Sequence, residues 1–153
     1  EGLDRTNPRI KDTCILDIEL ARSGILELKS KLLKEKLATD IFGLERTANL
    51  EAIIGNIYQT FDSRELYPNL ETKVANLLYL VIKDHPFMDG NKRIGCFLFT
   101  LFLQINNCLY KENAELLVSQ RVLAALALMI AESNPKDKDL IIRLICYFIN
   151  WND

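Results

Sequence analysis

The chain has 153 residues, 49% of them hydrophobic, and its 19 Lys and Arg against 21 Asp and Glu leave a net charge of −2. That length and apolar content suit one domain with a buried core, which excludes a disordered segment. The charge balance provides no positive field for polyanions, so nucleic acid is not an expected partner.

No apolar run reaches the roughly 18 residues of a membrane span. Cys96 to Ile105 comes nearest and reads as a buried helix. The first residues do not form a charged-then-apolar signal segment, so no membrane is expected. Cys14, Cys96, Cys108 and Cys146 are scattered without a C-x-x-C pair. They read as reduced core residues of a cytoplasmic protein. The chain opens at Glu1 rather than Met, as expected of a processed product or of a domain cut from a longer protein.

Apolar residues return every three or four positions along the chain, which predicts an all-α fold. Thr13 or Asp12 is the expected cap of a first helix running to about Leu37, with Leu16, Leu20, Leu28 and Leu32 on one stripe and a soft spot at Ser23-Gly24. Its lysine-rich end suits a helix C-terminus. A short helix follows at Asn49 to Ile54. The stretch GNIYQTFDSRELYP, Gly55 to Pro68, has β-favouring residues around Asp62-Ser63-Arg64 and reads either as an exposed hairpin or as a surface loop. Leu70 to Asp84 is helical again until Pro86 ends it. The next helix starts near Gly90 or Asn91, with Ile94, Phe97, Leu98, Leu101 and Ile105 as its expected buried face. Two more helices fit Asn113 to Glu132 and Asp137 to Trp151, separated by the breaker Ser133-Asn134-Pro135.

The turn between the two central helices reads HPFMDGNKRIG, His85 to Gly95, and holds the only histidine. A helix start presents unpaired N–H groups and the positive end of the dipole, which together bind anions. Gly90 lets the backbone approach a ligand, and Asn91, Lys92 and Arg93 add a donor and two charges. Asp89 at the same mouth would hold Mg²⁺ beside phosphates. His85 supplies a group for proton transfer near neutral pH. Taken singly, each residue has an ordinary structural role, as Phe87 does in anchoring the turn and Met88 in spacing it. Their joint occurrence at one helix start points to a phosphate-transfer site.

HPFMDGNKRIG resembles the signature of the Fic/Doc family, HPFx(D/E)GN(G/K)R, at His85, Pro86, Phe87, Asp89, Gly90, Asn91 and Arg93. The resemblance implies a Fic-type helical bundle with a short β-hairpin flap next to the active-site loop. It spans about residues 38 to 150, so that residues 1–37 form an N-terminal helix region ahead of a core at 38–151. It further implies that ATP or a related nucleotide is the co-substrate, with Mg²⁺ on Asp89. His85 would deprotonate a Ser, Thr or Tyr hydroxyl of a target protein. Gly90, Asn91 and Lys92 would form the anion hole, and Arg93 would steady the developing charge. The flap, with Ile57, Tyr58, Gln59, Thr60 and Phe61, would line up the target as an added strand.

In adenylylating members a second arginine follows the motif; here Cys96 takes its place, and Lys92 replaces the second glycine. Both features are similar to the Doc (death-on-curing) branch, which transfers the γ-phosphate, whereas Gly90 stands where Doc members tend to have alanine. AMP transfer and γ-phosphate transfer both remain open, as does a catalytically silent binding module. An inhibitory (S/T)xxxE(G/N) helix has no good match, since TANLE at Thr47 to Glu51 is followed by Ala52, and SGILE at Ser23 to Glu27 by Leu28. Restraint is therefore expected from a separate regulatory protein, such as an antitoxin, or from a further part of the chain. No oligomeric state is read from the residues.

Overall fold

The structure is a computed structural model that describes residues 10–47 and 49–150. Among the described residues there are six α-helices and one hairpin: α1 Ile18–Lys34, α2 Asn49–Ile57, β1 Thr60–Phe61, β2 Arg64–Glu65, α3 Leu70–Asp84, α4 Asn91–Ile105, α5 Gln120–Glu132 and α6 Lys138–Ile149. The fold is mainly helical, as expected, with a small antiparallel hairpin.

Centrality follows from composition. Leu70, Val74, Ala75, Leu77, Leu78, Tyr79, Val81 and Ile82 are all buried, as are the polar Glu71, Lys73 and Asn76, so α3 is covered nearly all round. It packs against α2, α4, α5 and α6, while α1 lies across α2 and α4. Pro86 limits α3, and Leu70 and Asp84 are its observed ends, as the sequence predicts.

Tertiary partners move several other boundaries. Asp17, not Thr13 or Asp12, caps α1 by accepting from Leu20 N at 2.7 Å. Thr13 does not begin the helix: Asn106 Oδ1 takes the N–H groups of Thr13 and Cys14 at 2.7 and 2.8 Å, and its Nδ2 donates at 3.1 Å to the Cys14 carbonyl that a helix would use. The helix also stops at Lys34, short of Leu37. Its buried face is Ala21 and Ile25; Leu16 is buried ahead of the helix, and Leu20 is exposed.

The second helix extends to Ile57, beyond the expected Ile54. Helix α5 starts at Gln120, capped by Ser119, and not at Asn113. Asn113 instead accepts from Glu115 N at 3.0 Å, a side-chain turn that competes with helix, and Tyr110 bridges to Leu116. In α4 the buried face turns toward Phe99, Phe102 and Leu103, leaving Phe97, Leu101 and Ile105 partly covered. The last helix begins at Lys138, after a 3₁₀ turn at Pro135–Asp137. Its expected end, Trp151, lies outside the described residues. All four cysteines are free, and Cys14 is exposed, so the expectation of a core role fails there.

Helix α2 runs antiparallel to α3. Asn49 and Asp84 line one cleft, while Tyr58, just past the other end of α2, has its ring centroid 5.7 Å from Lys73 Nζ. Hairpin β1-β2 follows that second end. Asp62 and Ser63 both take positive φ, as a two-residue hairpin turn needs. Glu65 of β2 pairs with the buried Lys73 at 3.0 Å, and Asp12 pairs with it at 2.9 Å. From Lys73 to the end of α3 is about 16 Å at 1.5 Å per residue. The hairpin forms, but at the opposite end of α3 from His85 and not next to the motif loop.

Candidate active site

Helix α3 ends in a left-handed residue, His85, at φ 50° and ψ 60°. A histidine tolerates this better than a β-branched residue. The turn leaves its imidazole exposed, while Pro86 and Phe87 behind it are buried. Phe87 is thus the anchor expected, and Met88 is exposed.

The loop is held along its length by a segment that the sequence reading left without a role. Residues 42–46 run beside it: Gly43 N donates to Asp89 O at 3.1 Å, Met88 N to Leu44 O at 2.8 Å and Arg46 N to Pro86 O at 2.8 Å. Gly43 takes φ +72° to make this approach. Charges on α1 and α2 fix the same segment, because Arg22 reaches Glu45 with two nitrogens at 2.8 and 3.0 Å and Glu51 at 3.3 Å.

Asn91 closes the loop from inside. Its Oδ1 accepts from Phe87 N and its Nδ2 donates to Phe87 O, both at 2.9 Å, and Nδ2 also stands 3.4 Å from His85 Nδ1. The side chain therefore staples the turn, which leaves the backbone N–H at this position as the group open to the cleft. Gly90 precedes it at φ +90°, and α4 has no side-chain cap. The first helical bond is Ile94 N to Gly90 O at 2.7 Å, so the N–H groups of Asn91, Lys92 and Arg93 open the helix without intrahelical partners. A Cβ at Gly90 would lie 2.3 Å from Phe42 Cε2, so only glycine fits against that buried ring.

Arg93 lies over the same ring with its guanidinium carbon 4.7 Å from the centroid, and it donates to Leu37 O at 2.6 Å. Its approach to Asp89 is 3.8 Å with both side chains nearly half exposed, a weak pairing that leaves the carboxylate free to bind elsewhere. Lys92 is exposed. His85, Met88, Asp89, Gly90, Asn91, Lys92 and Arg93 together line one open cleft of about 410 Å³. All six expected catalytic, metal and phosphate residues are brought together there.

The expected docking residues are not. Ile57 is the buried last residue of α2. Tyr58 accepts from Leu16 N at 2.8 Å, and burial pushes its phenol up to about 12. Gln59 N bonds to Asn56 O, and Thr60 and Phe61 form β1. None lines the cleft, and the segment beside it is 42–46.

Where the second arginine would stand, Cys96 is partly buried and its thiol is pushed up to about 11 by desolvation. It is a neutral group and adds no positive charge. Among the described residues no three His, Cys, Asp or Glu side chains gather to hold a metal. No helix of the described residues is long and apolar enough to cross a membrane.

The glutamate of TANLE, Glu51, is engaged by Arg22. No match was found among curated proteins or among solved structures. The sequence profile of the Fic/DOC family matches residues 19–103, from α1 through the motif loop to the last turn of α4. With its motif residues gathered in one cleft between two central helices, the chain belongs to the Fic/DOC family.

Proposed function

We propose that the chain transfers AMP from ATP, or a related nucleotide, to a hydroxyl of a target protein. The observation that carries this reading is the convergence, in one cleft, of an exposed imidazole, a half-exposed carboxylate and the uncapped first turn of α4. His85 would take the proton of a Ser, Thr or Tyr hydroxyl as its oxygen attacks the α-phosphorus and pyrophosphate leaves. The N–H groups at the start of α4 would receive the phosphoryl oxygens, with Lys92 and Arg93 adding charge. Mg²⁺, when bound at Asp89, supplies further neutralisation of the phosphates. Asn91 holds the turn that carries the imidazole by clasping both backbone groups of Phe87.

The target segment would be led in along 41–46 and not along the hairpin, since Ile41 and Leu44 are half exposed beside the cleft. Restraint by a separate protein, such as an antitoxin, remains part of this reading. It requires that a longer chain lacking that partner be no less active than the isolated domain.

A second reading, transfer of the γ-phosphate with ADP leaving, is favoured by the neutral thiol of Cys96 where a second arginine would grip the distal phosphates. Lysate incubated with ATP labelled at the α- or at the γ-phosphate separates the two. Protein label from the α position supports AMP transfer, label from the γ position alone supports the second reading, and no label from either removes both.

A further inference from the structure

Beside the motif cleft, α2 and α3 enclose a second cleft of about 350 Å³, lined by Asn49, Ala52, Ile53 and Asn56 on one face of α2 and by Leu80 and Asp84 on α3. Its polar groups are unmatched. Asn56 Oδ1 is shielded from solvent and has no hydrogen-bond donor among the described residues, a condition that buried acceptors rarely keep unless water, an ion or a ligand relieves it. Asp84 offers an exposed carboxylate that enters none of the ion pairs among the described residues. The adjacent cation, Lys83, is turned away and donates to Ser133 O at 2.6 Å.

The carboxylate of Asp84, the carboxamides of Asn49 and Asn56, no cation and an apolar wall of Ala52, Ile53 and Leu80 complement a methylene stem that ends in N–H donors and a positive charge. The position adds meaning. Asp84 is bonded to His85, so the two clefts meet at the end of α3. In an extended target, side chains return to one face every ~6.7 Å, which lets one residue enter each cleft.

We propose that the α2–α3 cleft is a specificity subsite for a lysine or arginine of the target protein, about two residues from the hydroxyl that His85 activates. Its place in recognition rests on the transferase reading; its preference for a basic side chain does not.

The test uses the whole chain with Nα-acetyl-arginine methylamide as probe and the norleucine analogue as uncharged control, read by the NMR shift of the Asn56 side-chain amide. The arginine probe should shift it saturably and the norleucine probe should not. Asp84→Asn, at an exposed position, should keep the fold and weaken the arginine probe about tenfold, the scale of one lost charge-assisted bond. Asn56→Leu, read at Ala52, should weaken it as well. Equal binding of norleucine, absence of saturation, or undiminished arginine binding in both variants overturns the subsite.

Proteins labelled from ATP in lysate supply the second arm. Modified hydroxyls should have a basic neighbour within about two residues, and Asp84→Asn should erase that bias while labelling continues. If nothing is labelled while the arginine probe still binds, the transferase reading fails and the subsite stands. Labelling without bias, together with no probe binding, overturns the subsite alone.

Discussion

The two ends of α3 differ in how their polar groups are met. At the Leu70 end, buried Lys73 pairs with Asp12 and Glu65 at 2.9 and 3.0 Å, and Glu71 accepts from Ile10 N at 2.8 Å. Nearby, Asn106 binds both polar backbone groups of Cys14. At the Asp84 end, an imidazole is exposed, a carboxylate meets its arginine only at 3.8 Å, and a helix starts without a side-chain cap. One end spends its polar groups on the fold, and the other leaves them facing an open cleft. Substitutions at the first should move stability and spare chemistry; those that remove a presented group at the second should do the reverse.

Gly90→Ala should break that rule most strongly, because its backbone is both site and structure. A Cβ would meet the Phe42 ring at 2.3 Å with φ already at +90°. The sum of overpacking and left-handed strain is about 3 kcal/mol, read by chemical denaturation, and nucleotide transfer should be lost with it.

At the opposite end, Lys73→Ala strands Asp12 and Glu65, whose side chains are 12% and 44% exposed. Water can reach both, so the loss should be about 2 kcal/mol, below the cost of a fully buried broken pair. Transfer from ATP should persist at a temperature where the variant stays folded. A transfer defect without instability would mean that the hairpin end takes part in the chemistry.

Asn91→Ala tests the staple. It leaves the N–H and C=O of Phe87 without their 2.9 Å partners, which should cost about 1 to 2 kcal/mol in thermal or chemical unfolding. Transfer should fall further than stability explains, since the turn that carries the imidazole to the helix start loses its clasp. Asn91→Asp, which keeps the acceptor but not the donor, should recover part of the stability and little of the rate.

These local relations explain which parts of the molecule were legible in sequence. The motif was readable because its chemistry is contiguous: one proline-ended helix, one glycine and one helix start bring His85 to Arg93 together whatever surrounds them. Helix α3 was readable for the same reason, with an apolar pattern stopped by Pro86. Distant partners hid the rest. Thr13 looks like a cap until Asn106, 93 positions away, takes its N–H and the carbonyl of Cys14. The hairpin has strand-like residues in the right place along the chain, yet Lys73 and the antiparallel course of α2 carry it to the far end. Residues 42–46 show no alternation to mark them as a strand; Gly43, beside the buried Phe42, is the one local sign that backbones approach closely there.

A further effect is expected at high pH. Burial raises the Cys96 thiol from 9.0 to about 11 and the Cys146 thiol to about 12. Below pH 9 these thiols are protonated in both folded and unfolded chains and contribute no pH dependence. Above it the unfolded chain releases protons that the folded chain still holds, so stability falls as pH rises from 9 through 11. Cys96→Ala should flatten part of that decline in unfolding curves taken across this range, while a decline of unchanged slope would assign it to other groups.

The division of labour along α3 is tested most directly at His85 itself. The measurement is transfer of label from ATP to lysate protein by the wild type and by His85→Ala, with unfolding curves of both taken in the same buffer. The exposed imidazole makes one long contact, at 3.4 Å, so its removal should change stability by no more than about 0.5 kcal/mol. The predicted result is loss of labelling in a variant that unfolds like the wild type. Labelling retained by His85→Ala would contradict the assignment of proton transfer to this residue, and with it the reading of the Asp84 end as the site of chemistry.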